Sequence, residues 1–325
     1  MRHRRLAAIA AAILSLSIAG CSGATPSGGV SSGAIPSAAA IPSAAAPSTA
    51  ASPKTDLVTD VDVGGRTLHL VCVGPVDTGE PTVVFEAGLG APFVAWSDVL
   101  SAMQSTHRVC AYDRAGLGAS PPAPETARTS KDIVADLHAL LTTAELEGPY
   151  VMVGHSMAAW PLAVYASEYP DDVAGVVLVD PRGPKVSAGW RDALPAPAAS
   201  EHPAVAANRD DLGAFETDAS MNAEHLQITD SAAEANAVLD AEGPLFGDRP
   251  LVVLGAADTH TSWSDLPADL VPVFDKIWLD GQKALAAEST AGTFVSVADS
   301  NHEIQVDQPA VVVDTIRGVL AALGN

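Results

Sequence analysis

Apolar residues fall along this chain in short runs of two kinds. Residues 58–63 and 67–73 alternate apolar with polar and meet at Gly64-Gly65, the pattern of a β-hairpin. Residues 82–85 are continuously apolar, as in a strand covered on both faces. Similar runs at 108–112, 150–153, 176–179, 251–254 and 293–297 predict the rest of an eight-stranded set. Between them the spacing is helical. Val94, Val99 and Met103 mark a helix over 93–103. Ile133, Val134, Leu137, Leu140 and Leu141 share one face of a helix over 130–141, with Thr129 and Asp132 suited to its start. A helix over 157–168 is closed by Pro170. Phe274, Ile277, Trp278 and Leu285 mark a helix over 272–287. The last helix, 308–323, has Pro309 in its first turn and turns Val312, Ile316, Val319 and Leu320 inward. A hairpin followed by alternating strands and helices predicts an α/β fold: a mostly parallel eight-stranded sheet with helices on both faces.

Residues 182–249 interrupt this rhythm. They are rich in Ala, Asp, Glu and Pro and carry no strand signal. Ser231 with Glu234 reads as a capping box ahead of Val238 and Leu239, so a small helical cap is expected here. Trp190, Leu212, Phe215, Met221, Leu226 and Phe246 would either line its underside or pack it onto the body.

The N-terminal end is an address rather than part of the fold. Arg2, His3, Arg4 and Arg5 precede an apolar stretch, then the small residues Ala19 and Gly20, then Cys21. The stretch is too short for a stable membrane span. "SIAGC" resembles a bacterial lipobox, with Ile18 where leucine is more usual. That resemblance implies cleavage before Cys21 and a lipid on its sulfur, against the plainer reading of a secretory signal with a coincidental cysteine. Residues 1–21 are thus a lipoprotein-type signal. Residues 22–55, nearly all Ser, Ala, Pro and Gly, cannot bury enough surface to offset their ordering entropy and read as a tether. Residues 56–325 form the domain.

The formal charge of −22 changes the list of partners. Loss of the signal would remove three arginines and leave the chain more acidic still. Such a chain repels phosphate backbones and anionic lipids, so no nucleic acid is expected, and membrane contact only through a lipid anchor.

In a doubly wound sheet the chemistry lies beyond the carboxyl ends of the strands. Ser156, in "VMVGHSMAAW", follows one strand and opens a helix, whose first N–H groups face its hydroxyl. A serine needs a base to act as nucleophile, and His302 follows the last strand in "VSVADSNHE". A carboxylate should orient that histidine. Asp258, after the strand in "LVVLGAADTH", is the first candidate. Asp180, ending "VVLVDP", is the other, unless it holds a neighbouring loop.

In this order the residues resemble the nucleophile, acid and base of serine hydrolases in the α/β-hydrolase superfamily. "YDRAGLGAS", Tyr112–Ser120, is similar to that family's D-R-G-x-G-x-S loop, and "VVFEAGLG" to its oxyanion strand-loop. The resemblance covers residues 58–323 apart from the insertion. It implies oxyanion donors at the backbone N–H groups of Met157 and Leu89. It also implies adjacent strands for Cys72 and Cys110, hence a disulfide, and a pocket shaped by the insertion. No cofactor or metal is implied. The expected activity is cleavage of a small ester-like substrate through an acyl-enzyme. Lactonase, amidase, acyltransferase or cofactor-free haloperoxidase chemistry is the alternative on this fold, and a non-catalytic envelope binding protein the alternative outside enzymes. Two departures stand out. Ala158 replaces the commoner glycine of the elbow. Glu86-Ala87 replaces the usual residues before the oxyanion glycine, and Glu86 is expected to pair with Arg114. Pro161, close behind the elbow, removes a helix N–H without an evident function.

Overall fold

A computed structural model describes residues 56–258, 263 and 265–324. The signal with Cys21 and the whole of the tether lie outside the described residues.

The strands are β1 (Leu57–Asp62), β2 (Thr67–Val73), β3 (Val83–Glu86), β4 (Val109–Tyr112), β5 (Tyr150–His155), β6 (Val173–Val179), β7 (Leu251–Ala256) and β8 (Gly292–Val297). They form one sheet in the order β1-β2-β4-β3-β5-β6-β7-β8. The β1–β2 and β2–β4 pairs are antiparallel, and every later pair is parallel. This is the mostly parallel eight-stranded sheet that the apolar runs predict. Cys72 lies directly opposite Cys110 across β2 and β4, and the two are disulfide-bonded.

Alternate side chains of the central strands feed two cores. Val83, Phe85, Val151 and Val153 enter one with Val99, Val312 and Ile316. Val84, Met152 and Leu178 enter the other with Leu137, Leu162 and Trp160. The first face is covered by α1 (Ser97–Met103) and α9 (Pro309–Leu323), the second by α2 (Ser130–Thr143) and α3 (Ala159–Glu168). Burial on both faces is why these strands read as unbroken apolar runs. Thr129 and Asp132 form a capping box on α2, the Thr129 N–H donating to Asp132 Oδ2 at 2.8 Å. Such a cap stabilises a helix by about 1 kcal/mol. The helix expected over 93–103 is divided: a 3-10 turn, Phe93–Trp96, precedes α1.

Between β6 and β7 the insertion folds as α4 (Val186–Ala193), α5 (Pro203–Thr217) and α6 (Ile228–Leu239), without a strand. Its helix boundary differs from the sequence expectation. The Ser231–Glu234 pair does not open α6, which starts at Ile228 behind Gln227. Glu234 Oε2 instead accepts from the Lys131 N–H, in the first turn of α2, at 2.9 Å. A tertiary contact has taken the carboxylate that a local cap would use. Of the apolar candidates in the insertion, Leu226 and Phe246 are buried in the second core, Trp190 is buried in a separate cluster with Trp263, Phe274 and Trp278, and Met221 is exposed. The remaining helices are α7 (Val271–Ala286), after β7, and the short α8 (Ile304–Asp307), after β8.

Candidate active site

Strand β5 ends at His155, and Ser156 begins a 3-10 turn, Ser156–Ala158, that runs into α3. Ser156 has φ of +55°, a left-handed conformation in a residue with a side chain. Holding it costs about 1–3 kcal/mol and is a feature of functional turns. Gly154 permits the tight reversal, since a Cβ there would lie 2.6 Å from Leu162 Cδ1 and 3.2 Å from Ala158 Cβ. The methyl of Ala158 thus fits because residue 154 has none. Pro161 is the third residue of α3, where an N–H has no intrahelical partner to lose.

The Ser156 hydroxyl lies 2.9 Å from His302 Nε2. His302 Nδ1 lies 2.6 Å from Asp180 Oδ2. A carboxylate only accepts, so Nδ1 carries the proton and Nε2 is left to accept from the serine. The carboxylate facing His302 is therefore Asp180, where Asp258 was the first expectation. Asp258 is exposed, beside Asp299, Ser300, Asn301 and Asp307 on a shallow acidic depression.

The physical reason lies in what surrounds each acid. Asp180 is fully buried, and its own N–H donates to Leu254 O at 2.7 Å. Its Oδ1 accepts from the Ala256 N–H at 3.0 Å, Gln282 Nε2 at 2.6 Å and Trp278 Nε1 at 3.3 Å. A buried carboxylate is tolerated only with such partners. Gln282 and Trp278 come from α7. Trp278 reads in the sequence only as an apolar position of its helix and Gln282 not at all, and no local signal ties them to Asp180. Trp278 also meets the His302 ring edge-on, with centroids 5.5 Å apart.

His155, beside the serine, is a different kind of histidine. Its Nε2–H donates to His302 O at 2.9 Å, which braces the backbone of the loop after β8. Burial, reinforced by the nearby His302, pushes it down to about 4. It therefore stays neutral at pH 7.

The loop after β3 passes close against this elbow. A Cβ on Gly88 would lie 2.7 Å from His155 Nδ1 and 3.4 Å from Ser156 Cβ, so only glycine fits. Leu89, half-buried, follows Gly88, and Met157 is buried directly after the serine. Among the described residues, no protein group accepts from the Leu89 N–H.

Glu86 pairs with Arg114 as expected, Oε1 accepting from a guanidinium nitrogen at 2.5 Å. Tyr112 donates its hydroxyl to the other Glu86 oxygen. Burial pushes the Glu86 carboxyl up, with the Arg114 charge pulling against it. Asp113 shapes the same loop. Its carboxylate accepts from the Phe93 N–H at 2.7 Å and the Ala119 N–H at 2.8 Å. Its carbonyl accepts from the Ser120 hydroxyl at 2.6 Å. The spacing within "YDRAGLGAS" is thus that of a loop braced by its own first and last polar residues.

Arg182, just after Asp180, donates its N–H to Ser156 O at 2.9 Å. Its guanidinium lies 5.0 Å from the Trp190 ring centroid and 5.2 Å from that of Phe215. Burial pushes it down to about 10, opposed by the charge of Glu216.

A sheet in this order, with a serine elbow after β5 and a histidine after β8, defines an α/β-hydrolase. Residues 81–268 match the family described as alpha/beta hydrolase fold, and the chain belongs to it. A similar curated protein is the uncharacterized protein YqjL of Bacillus subtilis, 35% identical over 100 residues, which are 31% of this chain and 39% of that one. The chain spans between 18% and 39% of the length of the curated relatives it matches. Among solved structures, an esterase from Thermogutta terrifontis aligns with TM-score 0.55 at 21% identity, over 84% of this chain and all of that one. The carboxylesterase CesB of Bacillus subtilis aligns with TM-score 0.53 at 15% identity, over 83% of this chain and 93% of that one. At these identities the two structures speak to the fold.

Proposed function

We propose that this protein is an exported serine hydrolase that cleaves a small ester-like substrate through an acyl-enzyme. The observation that carries the reading is the chain of contacts from the Ser156 hydroxyl through His302 to the buried Asp180. His302 Nε2 takes the hydroxyl proton as Ser156 attacks the carbonyl carbon. Asp180 holds the ring in the tautomer that leaves Nε2 free to accept, and stabilises the imidazolium once formed. The tetrahedral oxyanion is held by the N–H groups of Met157 and Leu89. His302 then protonates the leaving alcohol, and the acyl group remains on Ser156. Water attacks the ester carbon, giving its proton to His302, and the acid departs as Ser156 recovers its hydrogen.

Export and anchoring follow from the signal and from a lipid on Cys21. No nucleic acid is a partner, and the anchor is the only membrane contact in this reading. Among the described residues, no helix is long and apolar enough to cross a membrane.

A fluorophosphonate probe tests the chemistry. The wild type is expected to take one label, on Ser156, and Ser156→Ala none. Absence of label on the wild type would remove the enzyme reading and leave a binding protein on a hydrolase scaffold. In the same preparation, p-nitrophenyl esters of increasing acyl length would rank substrates.

A further inference from the structure

We infer that the insertion takes part in positioning the oxyanion donor, with Glu224 as the residue that acts and Arg114 as the group through which it acts. The inference rests on Leu89 as an oxyanion donor.

Arg114 is 5% exposed and Glu224 1%. Arg114 gives one guanidinium nitrogen to Glu86 Oε1 and Ala87 O, both at 2.5 Å. It gives another to Gly88 O at 2.7 Å. Glu224 faces the far side of the guanidinium, taking Nε at 2.5 Å on Oε2 and a terminal nitrogen at 2.8 Å on Oε1. The same Oε1 accepts the Gly90 N–H at 2.8 Å.

The geometry of one peptide plane gives these contacts their meaning. Gly88 C=O and Leu89 N–H belong to the same planar trans unit, so they point in opposite directions. A guanidinium that fixes the carbonyl also fixes where the N–H points. On the other side of Leu89, the Gly90 N–H is fixed by Glu224. Leu89 is thus clamped from both neighbouring peptides, and its own N–H is left without a protein acceptor among the described residues. A preorganised donor has this arrangement: the dipole is held by groups other than the one it will serve.

Glu224 is itself held by the body. A Cβ on Gly116 would lie 2.4 Å from Ala223 O, so the loop carrying Arg114 packs directly on the segment before Glu224. Just beyond, the Arg128 N–H donates to His225 O at 2.9 Å and the Gln227 N–H to Arg128 O at 2.7 Å. The stretch from 223 to 227 is therefore a fixed strut rather than part of a swinging lid. The opposite charge from Glu86 completes the cradle, and without Glu224 the guanidinium keeps one carboxylate and can tilt toward it.

The test compares Glu224→Ala and Glu224→Gln with the wild type, full-length, on one p-nitrophenyl ester and on a fluorophosphonate. Glu224→Ala is expected to lower kcat and the labelling rate together by about 10- to 100-fold, with KM within about twofold, since a displaced donor weakens the transition state alone. Glu224→Gln keeps an acceptor for Gly90 and is expected to recover most of that loss. A purely structural residue would behave differently: Tm would fall while kcat of the folded enzyme stayed at the wild-type value. That result, or equal labelling rates in all three proteins, overturns the inference while leaving the serine reading intact. A wild type that takes no label overturns both.

Discussion

Strands β6 and β7 are neighbours that end alike. Each is an apolar run closed by an aspartate, Asp180 in one and Asp258 in the other. Yet one acid is fully buried against His302, and the other is exposed on a shallow depression. The difference is not in the strands. The end of β7 itself serves the acid of β6: Ala256 gives its N–H to Asp180, and Leu254 O takes the N–H of Asp180. Helix α7 then closes over the site with Trp278 and Gln282. A carboxylate that must stabilise an imidazolium works best away from water but cannot be left there without donors. At the end of β6 both conditions are met, whereas Asp258 beyond β7 is exposed to water.

The largest effect should come from the buried member of the pair. In Asp180→Asn the amide cannot stabilise the imidazolium, and its NH2 group can force His302 into the wrong tautomer. Loss of the corresponding carboxylate elsewhere costs about 10⁴-fold in kcat. We expect a fall of that order in ester turnover, since among the described residues His302 Nε2 is the basic group in contact with the Ser156 hydroxyl. A loss under about tenfold would mean that another acid can serve His302, and the contrast between the two strand ends would collapse.

A smaller effect should follow from thinning the donors around Asp180. Gln282→Leu removes the 2.6 Å bond and leaves Oδ1 with the Ala256 N–H and the longer contact to Trp278. A buried polar atom short of a partner costs about 1–3 kcal/mol. The expected outcome is a lower melting temperature and a drop in kcat of roughly tenfold, the cost of about 1.4 kcal/mol in the transition state. Unchanged stability and rate would show that burial alone, without this amide, is enough to define the acid.

The same contrast shows what could be read along the chain. The sheet, the elbow at Ser156 and the proposed base, His302, each have a local signature: a strand, a turn and the residue just past it. The cysteine pairing followed from strand order once the family was apparent. The choice between Asp180 and Asp258 has no local signature, because it is made by Gln282 and Trp278, about 100 residues further on. Glu224 was hidden for the same reason: it lies in an insertion without strand rhythm and reaches Arg114 across 110 positions. The Ser231–Glu234 box was misleading in the reverse sense. It is a genuine local pattern whose carboxylate was claimed by Lys131 on another helix.

The smallest effect should be that of Asp258→Asn, and it is the most informative control. His302 Nδ1 already faces Asp180 at 2.6 Å, so a hydrogen bond from the same nitrogen to Asp258 would require the ring to turn away from its partner. Asp258 can then act on the imidazolium only as an exposed charge, and such charges are screened over a distance of about 8–10 Å in ordinary salt. Exposed ion pairs are worth at most about 1 kcal/mol even in direct contact. Its neighbours Asp299 and Asp307 also leave negative charge at the depression when Asp258 is neutralised. Turnover of Asp258→Asn should therefore stay within about twofold of wild type at physiological ionic strength, with any residual difference shrinking as salt is added. A tenfold loss that salt does not change would place Asp258 in direct contact with the reacting histidine during turnover, and would transfer to β7 the role that burial assigns to β6.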